Sequence, residues 1–376
     1  MKNKFTTSYS AVCIVLFLLS LPLNLKAQPV KLKVPNGFQV EILVSNIEKP
    51  RGLTSDEEGN IFVGSSSNFA YLITKNKNIY TIASNLKKPI GISYFNNKLY
   101  ISSVNKIYVV QDVEKEMTKT VSTNQLHKWK IEEFAALPVT NSKIHAGRYI
   151  KVDKKNKKLI VNIGSPNNAS IPKEEHEAVL LEIDLATKEK STVAYGVRNS
   201  VGFDFHPTNN HIYFSDNGRD HLGDNLPPDE INLVSKHGEH FGFPYMFGKN
   251  GKDPSFYLKA PKNISFTPAI YELPAHVAPL GIHFYRGNTF PNEYKNKLFI
   301  AEHGSWNRTT PVGYRITTLD INPNMKTATN YKIFLDGLLS SDGSKIGRPV
   351  DIITYWDGSI LFSDDFGNKI YKIQYN

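Results

Sequence analysis

Cysteine is almost missing from this chain. Cys13 is the only one in 376 residues, and it lies inside an apolar N-terminal run. Past that run there is no thiol for a disulfide, a thiolate metal site or a Cys-x-x-Cys-His haem attachment. Any electrons the protein handles must therefore pass to a separate molecule. Long hydrophobic runs are equally scarce. The N-terminal one, residues 11–21 interrupted by Ser20, is too short for an ordinary membrane-spanning helix. Helical periodicity is nearly absent. There is no P-loop, Gly-x-Gly-x-x-Gly, Gly-x-Ser-x-Gly or His-Glu-x-x-His. The histidines are not spaced as zinc ligands, and no EF-hand series is present. The net charge is +10, with no block of like charge or basic helix, so nucleic-acid binding has no support. That excess suits solubility, or an anionic ligand in a basic cavity.

What is present begins with a leader. Lys2 and Lys4 precede the apolar run, Pro22 ends it, and Ala27 gives a small residue before Gln28. That layout predicts a secretory signal peptide over residues 1–27 and a periplasmic or secreted protein with no stable membrane span after cleavage. Cys13 is badly placed for lipidation. Leu25 is bulky for its place, which keeps a retained signal anchor as the alternative. Removing Lys2, Lys4 and Lys26 with the leader leaves about +7.

Residues 28–376 read as one all-β domain. Short β-rich runs alternate with Gly, Asn, Asp and Pro, and one phrase recurs six times. Its copies start at Pro50-Arg51-Gly52-Leu53, Pro89-Ile90-Gly91-Ile92, Ala146-Gly147-Arg148-Tyr149, Asn199-Ser200-Val201-Gly202, Pro279-Leu280-Gly281-Ile282 and Pro349-Val350-Asp351-Ile352. The last copy lacks the glycine. Each leads through a turn into a second apolar strand, such as Ile61-Phe62-Val63 or Ile360-Leu361-Phe362. Apolar residues on both faces suit stacked sheets. The reading is a six-bladed β-propeller, its ring closed by an N-terminal strand at residues 38–43 that joins the last blade. A β-sandwich is the competing architecture. Residues 216–279 read as a long inserted loop region.

Polar residues recur where the repeat begins. His145 precedes the third unit, Arg198 and Asn199 open the fourth, His276 precedes the fifth and Arg348 precedes the sixth. Equivalent places in successive blades face one axis, so these side chains should converge on a shared pocket. A second set follows the hairpins: residues 215–232 after unit four, Glu302-His303-Gly304-Ser305-Trp306-Asn307-Arg308 after unit five, and Asp364-Asp365-Phe366 after unit six. The Gly and Asp content of the first suits a hard cation bound by oxygen, or a turn closed by Asx hydrogen bonds. Trp306 suits packing on a flat cofactor or a sugar face. Phe241 and Phe243 read as blade core.

The strings "GVRNSVGFDFHP", "FSDNGRDHLGDNLPPDEIN", "HFGFPY", "HVAPLGIHFY" and "AEHGSWNRTTPVGYRI" resemble the soluble sugar and sorbosone dehydrogenases that use pyrroloquinoline quinone. The resemblance runs from about residue 37 to the C-terminus and is strongest over residues 198–315. It implies oxidation of an aldose or sugar aldehyde by hydride transfer to the quinone, with His145 as general base and Arg198 beside it. It implies quinone contacts from Arg198, Asn199, His276, Arg308 and Arg348, to which the aromatic Trp306 is added as a residue that packs on the cofactor. It also implies a Ca2+ ion held by the backbone carbonyls of Gly218 and Arg219. The substrate would be a small sugar, and the electron acceptor a separate cytochrome or quinone. One position departs from the pattern. Ser165 stands where those dehydrogenases place an aspartate that orients the histidine. Two other functions remain open on the same architecture: a calcium-dependent lactonase, which could draw on Asn199 and Asp351, and a non-catalytic binding propeller.

Overall fold

Each repeated phrase folds into an antiparallel hairpin, because alternating apolar residues fill both faces while Asn, Asp and Gly supply the turn. The computed structural model describes residues 32–123, 127–138, 144–324 and 326–376. The predicted leader, residues 1–27, lies outside the described residues. Six sheets follow one another around a ring, which makes the chain a six-bladed β-propeller. The innermost strands are Pro50–Ser55, Ile92–Phe95, Ile150–Asp153, Gly202–Phe205, Pro279–Phe284 and Pro349–Thr354. Each touches the innermost strand of the next blade, and that of blade 6 touches that of blade 1.

The ring closes as the sequence predicts. Phe38–Ser45 pairs antiparallel with Lys369–Tyr375, from Phe38 opposite Tyr375 to Ser45 opposite Lys369. Phe38 drives into an aromatic cluster, with ring centroids 4.8 Å from Phe290, 5.0 Å from Phe334 and 5.0 Å from Tyr375. The apolar core is divided in the same way as the ring. Among the described residues one hydrophobic cluster fills each junction between neighbouring blades. That is why apolar residues occupy both faces of the hairpins.

The recurring glycine has a steric cause. At Gly52 a Cβ would lie 2.5 Å from the Ile90 carbonyl oxygen, and at Gly202 it would lie 2.1 Å from the Leu280 carbonyl oxygen. The backbone of the next blade passes too close for any side chain. In the sixth unit Asp351 fills the place, and its carboxylate accepts the Leu53 N–H at 2.8 Å.

Two stretches differ from the sequence reading. Residues 216–279 are not only loop. They supply the third and outer strands of blade 4, Asp229–Val234 and Tyr271–Leu273, a short strand Glu239–His240 added parallel to blade 3, and a small ribbon pairing Met246–Phe247 with Gly251–Lys252. A helix, Val113–Ser122, interrupts blade 2, with the Asp112 carboxylate accepting the Lys115 N–H at its start. Among the described residues no helix is long and apolar enough to cross a membrane.

Candidate active site

The heads of the innermost strands lie at one end of the ring, and there the ladder gives way. Pairing slips between Pro50 and Leu53, between Pro279 and Ile282, and between Pro349 and Ile352. Buried carboxylates hold the N–H groups of the segments that lead into the strands. Asp216 accepts from Arg198 N at 2.7 Å and Asn199 N at 2.6 Å, and Asp364 from Arg348 N at 2.8 Å. Asp229 accepts from Gly218 N at 2.7 Å and Ala278 N at 2.9 Å, tying two loops together. These bonds fix the walls of a cavity of about 560 Å³ on the propeller axis. Of the residues singled out from the sequence, His145, Arg198, Asn199, Gly218, His276, Trp306 and Arg348 all line it.

His145 is 9% exposed, and its Nδ1 lies 2.9 Å from the backbone carbonyl oxygen of Ser165. A carbonyl can only accept, so Nδ1 carries the proton and Nε2 carries the lone pair. The Ser165 hydroxyl is engaged elsewhere, donating to the Asn167 carbonyl at 2.6 Å, and its oxygen is 3.3 Å from Nδ1. Ser165 N in turn donates to the Arg198 carbonyl at 2.8 Å. The backbone thus orients the ring where the resemblance calls for an acid. Burial, with the Arg198 charge adding to it, pushes the His145 pKa down to about 3. The imidazole is neutral across the physiological range. Gly164 makes this packing possible, since a Cβ there would meet the His145 Cβ at 2.7 Å.

The arginines differ in what they can offer. Arg198 donates to the Asn168 carbonyl and side-chain oxygens at 2.8 and 2.9 Å and to the Asn217 carbonyl at 3.0 Å. Arg348 donates to the His303 and Gly304 carbonyls at 3.0 and 2.8 Å, which turns its charge toward the cavity mouth loop. Arg308 is not in the cavity lining. Its guanidinium clasps the carbonyls of Asp224 at 2.6 Å and Ala275 at 3.3 Å, so its place is a brace between loops. Arg308 sits in the long loop, residues 303–314, between the second and third strands of blade 5, and that loop carries it away from the place that the repeat alone would give. The Arg219 side chain also turns away from the axis and pairs with Asp253 at 2.9 Å. His276 donates Nε2–H to the Gly223 carbonyl at 2.9 Å and helps hold the same loop. Phe241 and Phe243 are buried, as expected of core.

The structure adds residues that the sequence reading left unassigned. Arg51, in the first copy of the repeated phrase, lines the cavity, and its guanidinium meets Asp365 at 2.6 Å. Its position at a strand head was a usable signal. His303 lines the cavity as well. Its Nδ1 lies 3.2 Å from the Pro349 carbonyl, so it too presents Nε2 unprotonated, and burial lowers its pKa to about 3. His221 packs edge-on against the exposed Trp306 at 5.9 Å, at the mouth.

Fold and cavity together define a propeller protein with an arginine-lined cavity on its axis, beside neutral histidines. The chain belongs to the TrAA12-like family, whose model matches residues 32–253 and 260–376. An uncharacterised protein of Borreliella burgdorferi is 65% identical, over 100% of this chain and 99% of that one. A pyrroloquinoline quinone-dependent pyranose dehydrogenase of Coprinopsis cinerea is 21% identical over 92% of this chain, which spans 54% of that protein. Among solved structures, the iodide structure of the Trichoderma reesei carbohydrate-active enzyme of family AA12 superposes with a TM-score of 0.74. It is 21% identical, covering 94% of this chain and 100% of that one.

Proposed function

We propose that the axial cavity binds pyrroloquinoline quinone and that the protein oxidises an aldose or sugar aldehyde there. The observation that carries this reading is His145: a neutral imidazole whose lone pair is fixed at Nε2 inside a cavity rich in arginine. A sugar hydroxyl must lose its proton as hydride leaves the same carbon, and Nε2 is the group to take it. The residues present fit the quinone. It bears three carboxylates, and Arg51, Arg198 and Arg348 surround the space. Arg51 Nε is buried without a hydrogen-bond partner, and the Asn199 side chain bonds to no described residue. They fit calcium through backbone oxygen. No described residue donates a hydrogen bond to the carbonyl of Gly218 or Arg219. Among the described residues no three His, Cys, Asp or Glu side chains gather to hold a metal. When bound, the quinone supplies the hydride acceptor and the ion makes it more electrophilic.

In this role Arg348 and Arg51 anchor negative charge, Arg198 adds to the burial that keeps His145 unprotonated, and Trp306 offers a face at the entrance. The leader supports export, and the missing thiols support electron delivery to a separate cytochrome or quinone. An intact Met1 on protein recovered outside the cytoplasm would argue against cleavage. The test of the main reading is to titrate purified protein with the quinone and Ca2+ and follow dye reduction by sugars. Saturable quinone binding with sugar-dependent reduction that a chelator abolishes is expected. Lactone hydrolysis needing Ca2+ alone would support the lactonase instead. Failure to bind the quinone would leave a binding propeller.

A further inference from the structure

The innermost strands run the full depth of the ring, and their far ends build a second cavity. Arg51 and Asn199, at the heads, line the cavity described above, whereas Ser55 and Phe205, at the tails, line another of about 490 Å³. All six innermost strands contribute to the second cavity, and the two cavities share no lining residue. Between them lies an apolar layer that includes Ile90, Val201, Leu280 and Val350, with the Tyr149 hydroxyl donating to Asp351 at 3.0 Å.

The second cavity is strongly basic. Lys151, Lys154, Lys155 and Arg286 line it, and Asp204 is the one carboxylate among its lining residues. His283 is neutral there, because burial lowers its pKa to about 4. Asp204 is already saturated. It accepts Phe284 N at 2.8 Å and both Nη atoms of Arg286 at 2.7 and 3.1 Å, and Lys151 Nζ sits 2.9 Å away. Lys151 is the telling group. Its Nζ is buried, and its contact with Asp204 lacks hydrogen-bond geometry, so the ammonium has no hydrogen-bond partner. An ammonium has three donors, and leaving them unmatched away from water is costly. An acceptor belongs in this space. The rest of the wall is apolar, with Ile92, Ile150, Phe205 and Ile353 facing the same volume.

We propose that this opposite mouth of the channel binds a small organic anion, with a carboxylate or phosphate head on Lys151 and an apolar body against the aliphatic wall. The site does not depend on the dehydrogenase reading, and its chemistry is separate from that of the axial cavity. The test is titration calorimetry on the full chain with benzoate, phenyl phosphate, inorganic phosphate and neutral benzyl alcohol. Benzoate or phenyl phosphate should bind saturably, and the tighter of the two identifies the head group. Lys151→Met should weaken that binding about 10-fold or more, the size of one charge-assisted hydrogen bond. A double Lys154→Ser, Lys155→Ser variant, altered only at exposed positions, should weaken it by about 3-fold. Arg348→Ala, which disables the other cavity, should leave it unchanged. Undiminished binding in both lysine variants would overturn the proposal. So would equal binding of benzyl alcohol or of inorganic phosphate, or no saturable binding of any probe.

Discussion

Ser165 shows how one position can change while its task is kept. The Nδ1–H of His145 is held by the backbone carbonyl of residue 165, not by its side chain. Ser165→Ala should therefore leave turnover within about 3-fold of wild type, whereas His145→Ala should lower it by at least about 10²-fold with quinone affinity little changed. Steady-state kinetics with a quinone titration on both variants check this. A large loss in Ser165→Ala would show that the hydroxyl orients the ring. Because the His145 pKa is about 3, its protonation should impose no acidic limb on the rate between pH 5 and 8. His303 is built the same way, and near-wild-type turnover in His145→Ala would pass the base role to it. Much of the site was legible from repeat position, since strand heads converge on the axis. His145, Arg198, His276 and Arg348 were found that way. Arg308 was not, because its position depends on a loop whose length breaks the repeat. Arg51 stands at the head of the first unit and is legible by the same argument.

At the scale of elements, the closing strand is the most exacting. Phe38 stands opposite Tyr375 and buries its ring among residues of blades 5 and 6. Phe38→Ala should cost about 3–5 kcal/mol, measured by denaturant unfolding. A loss below about 1 kcal/mol would mean that the strand pairing alone seals the ring. The hairpins and this closure could be read in advance because alternation and turn chemistry are local signals. The helix Val113–Ser122 could not. Ten residues with few buried positions leave too short a pattern against a background of strands. The strand Glu239–His240 was equally hidden, since two residues carry no periodicity and only the neighbouring blade recruits them.

For the molecule as a whole, the acids behind the cavity govern how stability responds to pH. Burial raises the pKa of Asp229 to about 7 and of Glu230 to about 8, with the charge of Asp216 adding to the rise for Glu230. Between pH 7 and 9 these two acids hold protons in the folded chain that they have already lost in the unfolded chain. Stability must then fall as pH rises. The buried histidines work the other way, because unfolding lets them take up protons below about pH 7.5, and they offset part of the fall at the low end of this window. A net fall of about 1 kcal/mol is expected from pH 7 to 9, with a chelator present. Glu230→Gln should remove most of it. Chemical denaturation across that range decides, and stability that rises with pH would refute the assignment. One consequence of the ring closure concerns how the protein is made. A ribosome delivers Phe38–Ser45 long before its partner Lys369–Tyr375, with every other strand of the ring between them. For nearly all of synthesis the first strand has no sheet to join. The cavity wall, which draws Arg51 from the first blade and Arg348 from the last, cannot assemble until that closing partner has emerged. Nascent chains should thus carry an open apolar edge that attracts chaperones. A chain cut short before residue 369 would yield no partly working protein, only an unclosed ring.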